Sequence, residues 1–363
     1  MRARLSQAQL CRGIWCQSVR GSRAIRQVSL SDLKGGSTLR WSIARHAGFL
    51  LRHLTVRRTL NLALCCLEMV LRRARLWSHP LVLRVCPADI CNLCCTGCLL
   101  SQRRVPAGET VRRLMDIDTF KRAVHDFLPY ILTVNLYDEG EPLLNRELFD
   151  MVRYLREHRV GASISTNFSL RLSDEVLDEI LDCGLEHLVV PVDGATQESY
   201  SRYRAGGDLA LVLSNLRRLM DLQRARRRVW PRVEVQFIEF EHNRAERQRV
   251  ADMAAELGVW RFAVIQGSSP DGWRGTDFQG TPEERRQRGC YQLWVAAHIN
   301  SDGSLGVCDY GEDHGMPQIG WAWEYRSGNL RNHPTLVGLR QSFAGSGKDL
   351  DSICRTCSLY RDP

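Results

Sequence analysis

Four cysteines fall within eight residues in the segment Cys91-Asn-Leu-Cys94-Cys95-Thr-Gly-Cys98. Taking Cys91, Cys95 and Cys98 gives a C-x3-C-x2-C spacing. Three thiolates so placed can hold three corners of a [4Fe-4S] cube and leave one iron open to another ligand. A single zinc ion is the competing chemistry; it needs a fourth donor, which Cys94 or Cys86 can supply. Buried structural thiols do not account for this density. A second set, Cys290, Cys308, Cys354 and Cys357, reads C-x17-C followed by C-x2-C. Four thiols suit one fully ligated cluster or one structural zinc ion equally. Cys11, Cys16, Cys65, Cys66 and Cys183 read as thiols without a ligand role.

Three other residues have chemistry to offer. Glu141, in the turn Glu139-Gly140-Glu141-Pro142, can accept hydrogen bonds from a ligand ammonium group, or be a solvated turn carboxylate. Asp193 can hold ribose hydroxyls or close an Asx turn before Gly194. Arg204 can hold a carboxylate or be a surface cation. Arg274, His298, Tyr310 and His314 lie in or near the last part of the chain; a solvated or core role is the simpler reading for each.

The elements that position these residues start at residue 81. Strand-like runs at Leu81–Cys86, Ile131–Tyr137, Ala162–Thr166, His187–Asp193, Arg232–Ile238 and Trp260–Ile265 alternate with helical patterns near 117–128, 146–158, 174–183, 208–227 and 244–257. Such alternation predicts parallel strands with crossover helices, as a partial barrel or an open doubly wound sheet. In both, a site forms at the carboxyl ends of the strands, where the first cysteine loop, Glu141 and Asp193 fall. The Gly-, Pro- and charge-rich segment after Gln266 reads as a boundary. The expected units are residues 1–80, 81–270 and 285–363, the last with β-like runs WVAAHIN and SLGVCDY.

Composition narrows the class. The chain has 363 residues, 44% apolar and 25% charged, which is ordinary for a globular protein. Its longest strongly apolar stretch, Asn61 to Leu71, is interrupted by Glu68 and is short of the ~20 residues a spanning helix needs. No segment reads as a signal peptide with a small-residue cleavage site, so a disulfide-stapled secreted domain is not expected. The net charge of +9 is uneven: residues 1–80 carry 15 basic groups against Asp32 and Glu68, and the rest of the chain is at −4. A basic body gripping nucleic acid is therefore not expected. Residues 1–31, with six arginines and no acid, have the composition of a transit peptide, a basic arm or an early start codon. Residues 44–76 have helical spacing with Leu50, Leu54, Leu60, Leu64, Leu67 and Leu71 near one side. A helix capping the next domain is the first reading; a membrane-surface helix is the second.

Several of these segments together resemble the radical S-adenosylmethionine (radical SAM) enzymes. Cys91-Asn-Leu-Cys94-Cys95-Thr-Gly-Cys98 is similar to the family's cluster loop. Tyr137-Asp-Glu-Gly-Glu141-Pro-Leu-Leu is similar to its Gly-Gly-Glu-Pro turn, and Ser165-Thr166-Asn167 to its S-T-N-G. Val192-Asp193-Gly194-Ala-Thr with Tyr203-Arg204-Ala-Gly206-Gly207 resembles members with a C-terminal SPASM or twitch extension. Gln236-Phe-Ile and Asn243 resemble the fifth-strand element. Cys290, Gly303 and Cys308, as C-x12-G-x4-C, resemble the opening of the SPASM/twitch signature.

The resemblance covers about residues 81–360. It implies a partial (βα)6 TIM-like barrel with a small C-terminal twitch/SPASM-like α+β domain and an N-terminal helical basic extension. It implies a cluster on Cys91, Cys95 and Cys98, and S-adenosylmethionine held by Glu141, Ser165, Asn167, Asp193 and Arg204. It also implies one auxiliary [4Fe-4S] cluster on Cys290, Cys308, Cys354 and Cys357. The implied reaction is reductive cleavage of S-adenosylmethionine to a 5′-deoxyadenosyl radical that attacks an unactivated C–H bond.

A small-molecule substrate is the expectation, since residues 1–80 contain no evident peptide-recognition domain, with a peptide-modifying maturase as the alternative. A low-potential donor such as flavodoxin or ferredoxin is the expected electron source. The expected location is cytoplasmic, with peripheral membrane contact through the N-terminal helix as a further option. Three positions depart from the pattern: Gly97 where an aromatic is usual, Glu139 for the first Gly of Gly-Gly-Glu, and Phe168 for the Gly of S-T-N-G. A non-enzymatic two-site zinc protein whose basic arm touches nucleic acid or an acidic membrane competes, but leaves Gly140-Glu141-Pro142, Ser165-Thr166-Asn167 and Val192-Asp193-Gly194-Ala-Thr unexplained.

Overall fold

The computed structural model describes residues 26–29, 52–102, 113–267, 290–308, 316–344 and Cys354. The chain runs β1 (Arg26–Ser29), α1 (Val56–Val70), β2 (Val82–Val85), α2 (Leu99–Gln102), α3 (Ile117–Val124), β3 (Thr133–Asn135), α4 (Leu148–Glu157), β4 (Gly161–Ser165) and α5 (Asp174–Asp182). It continues through β5 (His187–Pro191), α6 (Gln197–Tyr203), α7 (Leu209–Ala225), β6 (Arg232–Glu239), α8 (Arg247–Leu257) and β7 (Arg261–Gln266). The last part holds α9 (Gln292–Val295), β8 (Ala296–Ile299), β9 (Ser304–Gly306), β10 (Gly320–Trp321) and α10 (Pro334–Ala344).

Local chemistry fixes several helix starts. The side chains of Asp116, Thr196 and Asp208 accept the N–H groups of Thr119, Ser199 and Leu211 at the starts of α3, α6 and α7. Gly258, left-handed at φ 74°, ends α8.

The strands form one sheet in the order β1-β7-β6-β5-β4-β3-β2-β8-β9-β10. From β2 to β7 each strand pairs in parallel with the next in sequence, giving the six-step partial barrel. Every residue of β3 and β5 is buried, as in parallel strands covered on both faces. All six sequence-predicted strands appear, with ends within two residues of expectation.

The chain after the boundary continues the same sheet. β8 lies parallel along the other edge of β2, with Leu83 opposite Ala297, and β9 and β10 follow antiparallel. One apolar core includes barrel residues such as Leu83 and Val134 together with Trp294, Ile299, Leu305 and Tyr325. The fully buried Arg340 ties this part down by donating to the carbonyls of Leu293, Ala74 and Arg331. Arg26–Ser29, read from sequence as part of a basic extension, pairs in parallel with β7.

α1 departs from the leucine-stripe expectation. It lies across the amino ends of the strands and buries Arg58, Asn61, Cys65 and Glu68, while Val56, Leu60, Leu67, Val70 and Leu71 are exposed. The cause is the surface it covers, a floor of turn backbone rich in unpaired polar groups. Arg58 donates to the carbonyls of His53, Leu128 and His158 at 2.9, 2.9 and 3.1 Å and to that of Arg159. Asn61 exchanges bonds with the His79 backbone, and Glu68 accepts the N–H groups of Trp77 and Ser78 at 2.7 and 3.1 Å. Just before the helix, His53 pairs with Glu186 at 3.0 Å.

Replacing Arg58 by Met is expected to lower stability by about 2–4 kcal/mol, because several buried carbonyls lose a charged donor at once. Replacing the exposed Leu60 by Ser should change it by less than about 0.5 kcal/mol. Urea unfolding of the two variants measures both; the opposite ranking is what a leucine-packed helix gives.

Candidate metal centre at the barrel mouth

The first cysteine loop leaves β2 and rests on the turn after β3. A side-chain Cβ on Gly140 would lie 2.0 Å from the Ala88 carbonyl oxygen and 2.6 Å from that of Ile90, so only glycine lets the two backbones meet. The N–H of Glu141 then bonds the Ile90 carbonyl at 2.8 Å. The loop's other side is held by Cys94 N–H on the Ala205 carbonyl (3.0 Å) and Thr96 N–H on that of Tyr203 (2.8 Å). Gly97 is left-handed at φ 75°, which suits a residue without a side chain.

Cys95 is buried, Cys91 and Cys98 are half-buried, and Cys94 is exposed; all four are free thiols. Burial pushes the Cys91 thiol up to about 11 and raises that of Cys95; the nearby Cys95 and Cys98 add to the rise at Cys91, and Cys98 to that at Cys95. Their sulfurs meet donors: Leu93 N–H (3.4 Å) and Asn167 Nδ2 (3.8 Å) at Cys91, and Arg204 Nη1 (3.9 Å) at Cys95. Cys86 is buried behind the loop and donates to the Ala88 carbonyl at 3.3 Å. Neither Cys86 nor the exposed Cys94 thus stands as an evident fourth donor. Among the described residues no three His, Cys, Asp or Glu side chains are grouped to hold a single metal ion. A cube takes one thiolate per iron and asks for thiols spread apart. The three loop thiols with their donors fit that group.

The carboxylate of Glu141 is buried and points into the mouth's polar seam. It accepts bonds from Leu143 N–H (3.0 Å), Thr166 Oγ1 (2.6 Å) and Asn167 N–H (2.7 Å). Burial pushes its pKa up and these three bonds, with Arg204 farther off, oppose the rise. Asn167 carries the link onward, its Nδ2 bonding Asn92 Oδ1 at 2.9 Å in the cysteine loop. Ser165 is half-buried at the end of β4, just before Thr166.

Asp193 follows β5 and is fully buried. Its Oδ2 accepts Arg204 Nε and its Oδ1 accepts Ile238 N–H, both at 2.6 Å. Burial pushes the Asp193 carboxyl up, and the Arg204 guanidinium opposes it. Burial also works against the Arg204 charge, but Asp193 carries Arg204 well above the ordinary arginine value. At this separation we take both as ionised. Asn243 supports the same corner by donating to the carbonyls of Asp193 (3.0 Å) and Ile238 (2.9 Å).

Sequence reasoning missed Thr166 as a Glu141 partner, although it stands inside the quoted Ser165-Thr166-Asn167 run. It also left His298 as a weak candidate. His298 on β8 pairs with Asp138 after β3 at 3.2 Å, both largely buried, and this contact between distant segments has no local sequence signal. Phe168 is buried in the main core with a left-handed φ of 56°, the conformation that makes glycine usual at that position. Of the second cysteine set, Cys290, Cys308 and Cys354 are half-buried, the first and last packed against the main core. Cys357, Arg274, Tyr310 and His314 lie outside the described residues.

Comparison with known proteins agrees with this geometry. Residues 85–230 match the Radical SAM superfamily. The chain is 30% identical over 131 residues to the mycofactocin maturase MftC of Mycobacterium ulcerans, covering 36% of this chain and 33% of that protein. It is 29% identical over 257 residues to the protein of the same name from Mycobacterium tuberculosis, covering 70% of this chain and 58% of that one. The chain thus spans only a third to under three fifths of these relatives. Among solved structures, Streptococcus suis SuiB bound to S-adenosylmethionine shares the fold, with a TM-score of 0.59 and 15% identity over 78% of this chain and 72% of that one. SuiB was also solved bound to its precursor peptide SuiA.

Gly140→Ala is expected to cost about 1–3 kcal/mol or more, because the added carbon meets backbone that cannot step aside cheaply. Gly338→Ala in α10, where an added Cβ meets nothing within 4 Å, should instead gain about 0.5–1 kcal/mol. Thermal and urea midpoints of both variants test the seating of the loop.

Proposed function

We propose that this chain, whose residues 85–230 form a radical SAM domain, is an enzyme that modifies an unactivated C–H bond in a peptide or protein substrate. Radical SAM domains use a [4Fe-4S] cluster and S-adenosylmethionine, which when bound supply the hydrogen-abstracting radical chemistry. The observation that carries the reading is one mouth in which Asn167 bonds Glu141 and meets the Cys91 sulfur, Arg204 meets the Cys95 sulfur, and Cys98 stands in the same loop. For the substrate class, the support is the run of relatives named maturases, the longer of these matches covering 70% of this chain. That support favours the peptide alternative over the small-molecule expectation of the sequence.

The chain's own residues divide the work. Cys91, Cys95 and Cys98 are proposed to ligate three irons. Leu93, Asn167 and Arg204 donate toward their sulfurs and stabilise the negative charge there. Glu141 has about four lone-pair positions and uses three, so one remains for an ammonium group. Ser165 and Asn167 form the wall beside it. Asp193 has both oxygens engaged, so we assign it to positioning Arg204 and β6 rather than to direct ribose binding. Arg204 turns Nε to Asp193 and Nη1 to the Cys95 sulfur, and its Nη2 is proposed to meet a carboxylate. Cys290, Cys308, Cys354 and Cys357 are proposed to hold one auxiliary cluster, and an external low-potential flavodoxin or ferredoxin to supply electrons.

Iron stoichiometry with cofactor cleavage tests this assignment. The anaerobically reconstituted protein should hold about eight irons, and the Cys91/Cys95/Cys98→Ala variant about four with no cleavage of S-adenosylmethionine. Cys94→Ala should keep both clusters and most cleavage. Dispensable Cys95 with essential Cys94 overturns the ligand set; about four irons in the intact protein, or bound zinc, overturns the auxiliary cluster. Incubation with short peptides encoded beside the gene should then give a product of altered mass; turnover of a small molecule alone contradicts the peptide reading.

A further inference from the structure

The floor of the barrel carries a surface that the chemistry at the mouth does not use. On α1, Val56, Leu60, Ala63, Leu67, Val70 and Leu71 recur every three or four residues and are all exposed. Val56 is 80% exposed, Leu60 67% and Val70 74%, and Trp77 just beyond the helix is 70% exposed. At about 100° per residue these six positions occupy one arc of roughly 100°. The opposite arc holds the buried Arg58, Asn61, Cys65 and Glu68. The usual amphipathic order is thus reversed, with the polar side against the protein and the apolar side outward.

Along residues 52–77 the exposed charges have one sign, with Arg52 also paired to the buried Glu186. Arg52, Arg57, Arg72 and Arg75 are exposed and Arg73 is half-buried over Trp77, while the one acid between residues 52 and 77, Glu68, is buried. A second copy of this chain would set these arginines against their own kind. Residues 1–51 bring nine more basic groups and only Asp32, so they do not complement the surface either. Nucleic acid would satisfy the arginines but not the leucines. An apolar arc with a tryptophan and flanking arginines is what an interfacial helix presents to anionic lipid.

We propose that α1 with Trp77 is a lipid-contacting face that docks the barrel floor on an anionic membrane surface. α1 has 15 residues and is already bonded along its inner side, so it lies on the bilayer and does not cross it. The strands' amino ends face this surface and the cysteine loop lies at their carboxyl ends, so docking leaves the mouth open to the aqueous side. The inference stands whether or not the proposed peptide chemistry holds.

Co-sedimentation of the full chain with vesicles tests it. Vesicles of phosphatidylcholine with about 30% phosphatidylglycerol should bind at least tenfold more protein than phosphatidylcholine alone, and about 0.5 M salt should weaken the binding. The Leu60→Glu/Leu67→Glu variant should lose binding while its melting midpoint and its basic residues are retained. The Arg57→Gln/Arg72→Gln/Arg75→Gln variant should bind roughly a hundredfold more weakly, about fivefold per charge. Equal binding to both vesicle types, or unchanged binding by the folded Leu60→Glu/Leu67→Glu variant, overturns the proposal. So does a dimer in light scattering that this variant dissolves, which would show a second copy covering the face.

Discussion

The contact between the cysteine loop and Gly140 sets the rest of the mouth in place. Two backbones approach there so closely that an added carbon would sit 2.0 Å from a carbonyl oxygen. That approach brings the Glu141 N–H onto Ile90 and aims its carboxylate at Thr166 and Asn167. From Asn167 the bonding returns to Asn92 and the Cys91 sulfur. The loops after β2, β3 and β4 therefore form one closed circuit. A second circuit runs from Asp193 through Arg204 to the Cys95 sulfur, with Ile238 bringing in β6. Such networks hold ligand groups in place before anything binds, which spares binding energy.

Both circuits contain buried charge, and each has a different consequence. The Glu141 carboxylate is surrounded by neutral donors, so burial dominates and its pKa rises. A carboxylate in that state gains from a bound cation. Asp193 already has its cation in Arg204. The two acids look alike in sequence, each before or beside a glycine in a turn, yet Glu141 is bonded only by neutral donors while Asp193 is paired with an arginine.

Much of this arrangement was legible in the residues. The six parallel strands and their crossover helices followed from apolar runs alternating with helical patterns, because parallel strands covered on both faces leave that trace. The cysteine spacing, the Gly140–Glu141 turn and the Ser165–Asn167 run marked loops that the structure brings together. What escaped was set by partners far along the chain. The sequence offered Asp193 as a ribose ligand or an Asx turn, and gave no sign of its bonds to Arg204 and Ile238, which folding sets. α1 read as a leucine-packed cap because apolar stripes usually face inward; here the covered surface offers open carbonyls at Leu128, His158 and Arg159, and Arg58 answers them. The pairing of β8 with β2 joins segments more than 200 residues apart, and no local pattern announces it.

The central claim is that Glu141 is the ligand-facing charge of a mouth built around three thiols. Binding of S-adenosylmethionine to the reconstituted protein, compared with Glu141→Gln, tests it most directly. The substitution keeps the side chain's size and removes its charge. Affinity is predicted to fall roughly ten- to a hundredfold, the loss of one charge-assisted hydrogen bond of about 1.5–3 kcal/mol, while iron content stays unchanged. Equal affinity in two proteins of equal iron content would contradict the account.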